Sequence, residues 1–151
     1  MTDAQARPRV VDVGVWLVLG GAVLLIFGGL MSITLKFETV RSVAEDSMSD
    51  EALNDYLMLH RGAGVFCLVA GLALAFVASK TRTRDERFRR ATVALSLAGV
   101  VLVAVLSLLV GTNLIALLSM LPLIVAAMLL RRPAATGWFA PAATPMEDLD
   151  G

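Results

Sequence analysis

The chain contains one histidine, His60, and one cysteine, Cys67, so neither has a second residue of its kind to work with. Disulfide chemistry needs a pair of thiols, and a haem held between helices usually takes two axial ligands. Acid–base catalysis would need a nucleophile or carboxylate beside the imidazole in a shielded site. The sequence therefore predicts no catalytic, cofactor-binding or metal-binding residue, and we do not expect an enzyme.

Carboxylates are concentrated between Glu38 and Asp55, a segment that holds six of the 13 Asp and Glu residues. Clustered carboxylates can hold a metal ion and phosphate groups, as phosphotransferases that act on lipids require. This segment is predicted to lie outside the cytoplasm. Nucleotide substrates are cytoplasmic, so the carboxylates are on the wrong side of the membrane to bind them. Weak cation binding and a solvated acidic face are the two interpretations, and we prefer the solvated face.

Cationic side chains are densest between Ser79 and Thr92, in a stretch that reads SKTRTRDERFRRAT. No nucleic-acid-binding fold accompanies this charge and Asp85 and Glu86 interrupt it, so we expect no nucleic-acid partner. Basic residues beside a membrane span keep that side of the chain in the cytoplasm and attract anionic lipids. We assign both roles to the six basic residues of the stretch: Lys80, Arg82, Arg84, Arg87, Arg89 and Arg90.

Long uncharged blocks must position these groups, and they indicate a protein that lies within a bilayer. Segment 13–35 has 23 residues without a charge, segment 62–79 has 18, and segment 91–130 has 40. A helix needs about 20 apolar residues to cross about 30 Å of hydrocarbon. The last block is therefore two crossings, and the sequence predicts an all-α integral membrane protein with spans at about 13–33, 62–79, 91–110 and 114–130.

Short connections predict an antiparallel, up-down four-helix bundle over residues 1–132, with a cytoplasmic loop at 80–90. The first apolar run is too long for the core of a signal peptide and is predicted to remain as an anchor. Residues 133–151 are rich in Pro and Ala and end in acidic residues, which predicts a disordered cytoplasmic tail. Trp138 and Phe139 are expected to dip into the membrane interface or to dock on a partner.

The segment at 36–61 has more helical character than a loop requires. Ser49 precedes Asp50 and Glu51, a combination typical of a helix N-terminus. The second helix is therefore predicted to begin near Asp50 and to extend beyond the membrane on the outer side. Phe37, Val40 and Ala44 form a shorter apolar stripe after the first span, which predicts that helix 1 is extended in the same way. The two extensions are expected to pair outside the membrane as a small cap.

Lys and Arg residues are divided unequally between the two predicted sides of the membrane. The side with both termini and the 80–90 loop carries ten of the 13, and the side with segment 36–61 carries three. Because positive charge near spans is retained in the cytoplasm, both termini are predicted to be cytoplasmic.

Small residues recur on one face of several predicted spans, where they let helix backbones approach closely in lipid. We expect these faces either to close the chain's own bundle or to contact another copy or a larger membrane complex. The residues concerned are Gly14, Gly21, Gly28, Gly64, Gly71, Ala75, Ser79, Ser96 and Gly99.

The layout of four short spans, an Arg-rich central loop and a Pro/Ala-rich acidic tail resembles that of small membrane proteins of actinobacteria. The resemblance implies a bacterial plasma membrane. Ion-driven transporters normally have an ionisable residue inside the bilayer, paired and facing a cavity. The first predicted span, VGVWLVLGGAVLLIFGGLMSI, has no carboxylate, and none of the other predicted spans has a charged residue. We therefore expect a non-catalytic accessory or scaffold subunit of an envelope membrane complex. The alternative is a small oligomeric transporter or channel whose path lies between protomers.

Overall fold

Six α-helices form the regular structure of the residues that the computed structural model describes, namely 8–44, 47–83, 85–111 and 114–139. They are α1 (Arg9–Ile33), α2 (Phe37–Arg41), α3 (Asp50–Thr81), α4 (Glu86–Val110), α5 (Leu114–Leu130) and α6 (Pro133–Phe139). No strand occurs within these ranges. The all-α prediction is confirmed for them.

The four longer helices pack side by side, with α1 against α3 and α5, and α4 against the same two helices. Their common core is aliphatic, and Leu25, Leu74 and Leu123 are fully buried in it. Large apolar side chains also cover the outside of the helices, as Phe66 and Phe76 show. A surface of this kind is one that lipid or another apolar partner covers.

Three of these helices, α1, α3 and α4, are long and apolar enough to cross a membrane. A fourth candidate is formed by α5 together with α6, which follows it after a bend of 65°. Pro122 lies inside α5, as the sequence predicted for the fourth span. Three to four such helices are compatible with a multi-pass membrane protein.

Helix α3 begins at Asp50, as predicted from the residues around it. The Ser49 hydroxyl oxygen accepts a hydrogen bond from the backbone N–H of Ala52 at 3.2 Å, which satisfies one of the unpaired N–H groups of the first turn. The helix has 32 residues and at about 1.5 Å per residue is about 48 Å long. It is therefore longer than the hydrocarbon thickness of a bilayer.

Helix α1 ends at Ile33 and does not continue beyond the predicted span, which corrects the prediction of a continuous extension. The chain turns through Leu35 and resumes as the separate helix α2, which packs on α3. Arg61 holds this turn, because its Nη2 donates to the Leu35 carbonyl at 3.1 Å. A bond between residues so far apart in sequence cannot be read from the local apolar pattern.

The basic connection between α3 and α4 is shorter than the predicted loop at 80–90. Helix α3 continues to Thr81, and α4 begins at Glu86 because the Asp85 carboxylate accepts a hydrogen bond from the Arg87 N–H at 2.8 Å. Residues 86–90 of the predicted loop are therefore the beginning of α4. Arg84 lies outside the described residues.

Residues 133–139 form α6, which corrects the prediction of disorder for this part of the tail. Trp138 and Phe139 are buried in a small cluster with Val11 and Val15 of α1. These two aromatic side chains give the Pro/Ala-rich segment enough apolar surface to bury, and burial of that surface favours order. Residues 140–151, the rest of the predicted disordered tail, lie outside the described residues.

Candidate functional site

The predicted glycine face of α1 lies against α5. Gly14 and Gly21 contact leucine side chains of α5, and Gly28 contacts the backbone of Ala116. A Cβ added to Gly28 would lie 3.3 Å from the Ala116 nitrogen. This face is therefore covered by the chain's own helix.

The predicted glycines of α3 lie against α1, where the two backbones approach even more closely. A Cβ on Gly64 would lie 2.7 Å from the carbonyl oxygen of Gly29, and one on Gly71 would lie 2.9 Å from the carbonyl oxygen of Ala22. Both distances are shorter than a carbon–oxygen contact allows. The absence of a side chain is what lets α1 and α3 pack at this distance.

The remaining small residues of the predicted face have different environments. Ser96 and Gly99 are buried, and Ala75 is half-buried against the core. Ser79 is exposed, and its hydroxyl donates to the Phe76 carbonyl at 2.6 Å. Binding of a partner by this set stays a prediction, and Ser79 is its one outward-facing member in the described structure.

Arg89 lies inside the protein, which corrects its assignment to lipid contact. Its Nη1 donates to the carbonyl oxygen of Leu130 at 3.1 Å, and its Nη2 donates to the Glu86 carboxylate at 3.2 Å. The guanidinium also lies over the ring of Phe139, with Cζ 5.8 Å from the ring centre. The physical reason for its burial is that Leu130 ends α5, and a terminal carbonyl has no partner within its own helix.

The other described basic residues of the stretch remain exposed. Arg90 donates to Glu86 at 2.8 Å, and the guanidinium Cζ of Arg82 lies 5.2 Å from the centre of the Trp16 ring. Contact of these residues with anionic lipid stays a prediction, and their exposure is compatible with it: Lys80, Arg82, Arg87 and Arg90.

His60 lies in the N-terminal half of α3, near Val110, the last residue of α4. Its ring stacks on Tyr56, with the ring centres 5.5 Å apart. Beside it is a cavity of about 30 Å³ lined in part by Ser32 and Cys67. A water molecule needs about 10–15 Å³ by this measure, so the cavity has room for one or two waters and is too small for an organic substrate.

The N-terminal part of α3 is held at two points. Arg41 of α2 donates to the Met48 carbonyl at 2.6 Å and lies 3.7 Å from the Asp50 carboxylate. Arg61, farther along α3, binds the Leu35 carbonyl as described above. These long-range bonds fix the short helix α2 and the turn after α1 against α3.

Two arginines bind carbonyls that follow or end a helix elsewhere in the chain, an arrangement that the sequence did not reveal. Arg89 binds the end of α5, and Arg61 binds the turn that follows α1. Carbonyls left unpaired near lipid are costly, so these bonds have a structural purpose. A signal for Arg89 was present, because it precedes Thr92 and Ser96 at helical spacing on the face that proves to be buried.

Potential metal ligands are dispersed. Within the described residues, no group of three or more His, Cys, Asp or Glu side chains is placed to hold a metal ion. No protein family matches this chain, and no curated protein or solved structure resembles it significantly. Support for a function must therefore come from the surfaces and contacts of the chain itself.

Proposed function

We propose that the chain is a non-catalytic integral membrane protein that serves as an accessory or scaffold subunit of a complex in the bacterial plasma membrane. In this proposal its four longer helices form an antiparallel, up-down bundle with both termini in the cytoplasm. The length and apolar character of the helices support membrane insertion. The excess of Lys and Arg on the side of the termini supports the orientation.

The observation that carries the subunit role is the braced outer end of α3. Residues 50–61 precede the predicted span and, at about 1.5 Å per residue, extend about 18 Å along the helix axis. Arg41 ties this end to the chain around α2, and Arg61 ties it to the turn after α1. A surface that is already ordered loses less conformational entropy when a partner binds.

Four exposed carboxylates lie on this outer surface: Glu38 on α2, and Asp50, Glu51 and Asp55 on α3. Glu51 and Asp55 lie one helical turn apart on α3. Like charges at this spacing destabilise a helix by about 0.2–0.5 kcal/mol. A basic surface on a partner would relieve that repulsion, so we propose that the partner presents cationic side chains to Glu51 and Asp55.

Site-specific photocrosslinking in native membranes tests this role. A photoreactive amino acid replaces Asn54, which is exposed between the two carboxylates, and adducts are identified by mass spectrometry. We expect one reproducible partner protein. The adduct should be lost in the Glu51→Gln, Asp55→Asn double variant and should persist in Glu38→Gln, which removes a carboxylate from α2.

Two outcomes would overturn the subunit role. If no adduct recurs between preparations, the outer surface has no fixed partner. If the chain crosslinks to itself alone, the result favours the oligomeric transporter or channel that the sequence left as an alternative.

A further inference from the structure

A groove of about 480 Å³ lies between the first half of α3 and the last turns of α4. Its α3 wall follows one face of that helix, from Asp55 past Gly62 to Phe66. Leu106 and Leu109 contribute the wall on α4. Binding sites for small molecules occupy about 300–1,000 Å³, so the groove is large enough to take one.

The walls of this groove are apolar and uncovered. Apart from Asp55, every residue that lines it is apolar, and Phe66 and Leu109 are 64% and 69% exposed. An added Cβ at Gly62 would meet nothing within 4 Å, so the groove is open at that point. An apolar chain laid along these walls would remove their surface from water, which favours binding.

The carboxylate of Asp55 is part of the lining, at the end of the groove nearest the start of α3. The two nearest arginines in sequence are engaged elsewhere. Arg61 binds the Leu35 carbonyl, and Arg41 lies 3.7 Å from the carboxylate of Asp50. Among the residues that the structure describes, none supplies an ion pair or a hydrogen bond to the Asp55 side chain. The groove therefore carries one negative charge that its own chain does not neutralise.

The order of these features along α3 determines which kind of molecule fits. Asp55 and Gly62 are seven residues apart, which is about 10 Å along the helix axis. A molecule with a positive head and an apolar chain can pair with the carboxylate and lie over Gly62 at the same time. An ordinary phospholipid fits poorly, because its phosphate would lie beside the carboxylate and be repelled by it.

From this geometry we propose that the groove binds an amphiphilic cation, with an ammonium group on Asp55 and an alkyl chain over Gly62 toward Phe66. The ammonium group matches the unneutralised carboxylate, and the chain matches the apolar walls. The site does not depend on the protein partner proposed above, although a partner that reached Asp55 would compete for it.

Photoaffinity labelling of the purified full chain in phosphatidylcholine vesicles tests this site. The probe is a dodecylammonium ion with a photoreactive group in its chain, and the matched probe is the uncharged alcohol with the same chain. Labelling is counted by mass spectrometry on the tryptic peptide 62–80, which contains Phe66 but not Asp55, relative to peptide 10–36 of α1. We expect the ammonium probe to label peptide 62–80 more strongly than the alcohol does.

Variants at Asp55 test the role of the carboxylate. Asp55→Asn should lower labelling by the ammonium probe about two- to fivefold, to the level of the alcohol, because an exposed ion pair contributes about that much to binding. Asp55→Glu keeps the charge and should retain most of the labelling. Glu51→Gln is the matched control, since Glu51 is an exposed carboxylate one turn away that does not line the groove. It should label like the wild type.

Filling the groove tests the role of its walls. Gly62→Leu should lower labelling by both probes, whereas Gly137→Leu on α6, where an added Cβ also meets nothing within 4 Å, should change neither. Equal falls in Asp55→Asn and Glu51→Gln would overturn the proposal, as would equal labelling by the two probes. A dimer that Gly62→Leu converts to a monomer would also overturn it, by assigning the groove to a second copy. Because the assay contains no other protein, its failure would not bear on the proposed partner.

Discussion

The guanidinium of Arg89 donates a hydrogen bond of 3.1 Å to the carbonyl oxygen of Leu130, which is 41 residues away and on a different helix. This bond pairs a carbonyl that ends α5 and has no partner within its own helix. Glu86 holds the same guanidinium from the first turn of α4, and the ring of Phe139 lies beneath it. One buried side chain therefore connects α4, α5 and α6.

Replacing Arg89 should destabilise the protein more than replacing the neighbouring Arg90. Arg89→Met retains much of the aliphatic stem but leaves the Leu130 carbonyl unpaired, so we expect the free energy of unfolding to fall by about 1–2 kcal/mol. Arg90 is an exposed residue whose ion pair with Glu86 should contribute less than about 0.5 kcal/mol. Circular dichroism during unfolding of the purified chain from mild detergent into SDS measures both values. Equal losses in the two variants would show that the bond to Leu130 contributes nothing specific.

The Gly29–Gly64 contact between α1 and α3 should not tolerate even a methyl group. A Cβ on Gly29 would lie 2.6 Å from the Gly64 carbonyl oxygen, and a backbone oxygen cannot move aside by changing rotamer. We expect Gly29→Ala and Gly64→Ala each to lower the free energy of unfolding by about 1–3 kcal/mol. The same detergent titration measures this change.

Gly62→Ala is the matched control for this contact. An added Cβ at Gly62 meets nothing within 4 Å, and alanine favours a helix over glycine by up to about 1 kcal/mol. We therefore expect unchanged or slightly higher stability. If Gly62→Ala were as destabilising as Gly64→Ala, the cause would be a general effect of the substitution and not the close approach of α1.

Features that depend on neighbours in sequence could be predicted for this chain. The long apolar runs identified the helices, and Ser49 with its acidic neighbours identified the start of α3, because a helix N-terminus is completed by residues within one turn. The hydroxyl oxygen of Ser49 accepts its hydrogen bond from the N–H of Ala52, only three residues away. No distant contact is needed to place that end of the helix.

Features that depend on distant contacts could not be predicted in the same way. Arg89 and Arg90 are adjacent in a basic stretch, and only the position of the end of α5 makes one buried and the other exposed. The Pro/Ala-rich tail from residue 133 suggested disorder because it has few large apolar residues. Trp138 and Phe139 order it by packing on α1, which lies more than a hundred residues earlier in the chain.

The two tryptophans should differ in their access to lipid. Trp16 is 65% exposed, whereas Trp138 is 9% exposed and packs against α1. In vesicles with brominated acyl chains, Trp16, observed alone in Trp138→Phe, should be strongly quenched because bromine quenches by contact. Trp138, observed alone in Trp16→Phe, should be quenched only weakly.

A quencher dissolved in water completes this comparison. Docked Trp138 should also be protected from acrylamide, because its ring is covered by protein and not by lipid or water. Strong quenching of Trp138 by brominated lipid would instead support insertion of the tail into the membrane interface. That result would contradict the packing of α6 on α1.

Cysteine labelling should show that the first turn of α3 and the first turn of α4 lie on opposite sides of the membrane. In a Cys67→Ser background, which removes the chain's one natural thiol, Glu51→Cys and Arg87→Cys each place a thiol at an exposed position. A membrane-impermeant maleimide applied to intact cells should label Glu51→Cys and should reach Arg87→Cys only after permeabilisation. This expectation follows from the ten Lys and Arg residues on the side of the termini against three on the other. The wild-type chain is the control, and its buried Cys67 should react slowly on either side. Labelling of Arg87→Cys alone in intact cells would reverse the orientation, and it would also move Arg82 to the outer leaflet.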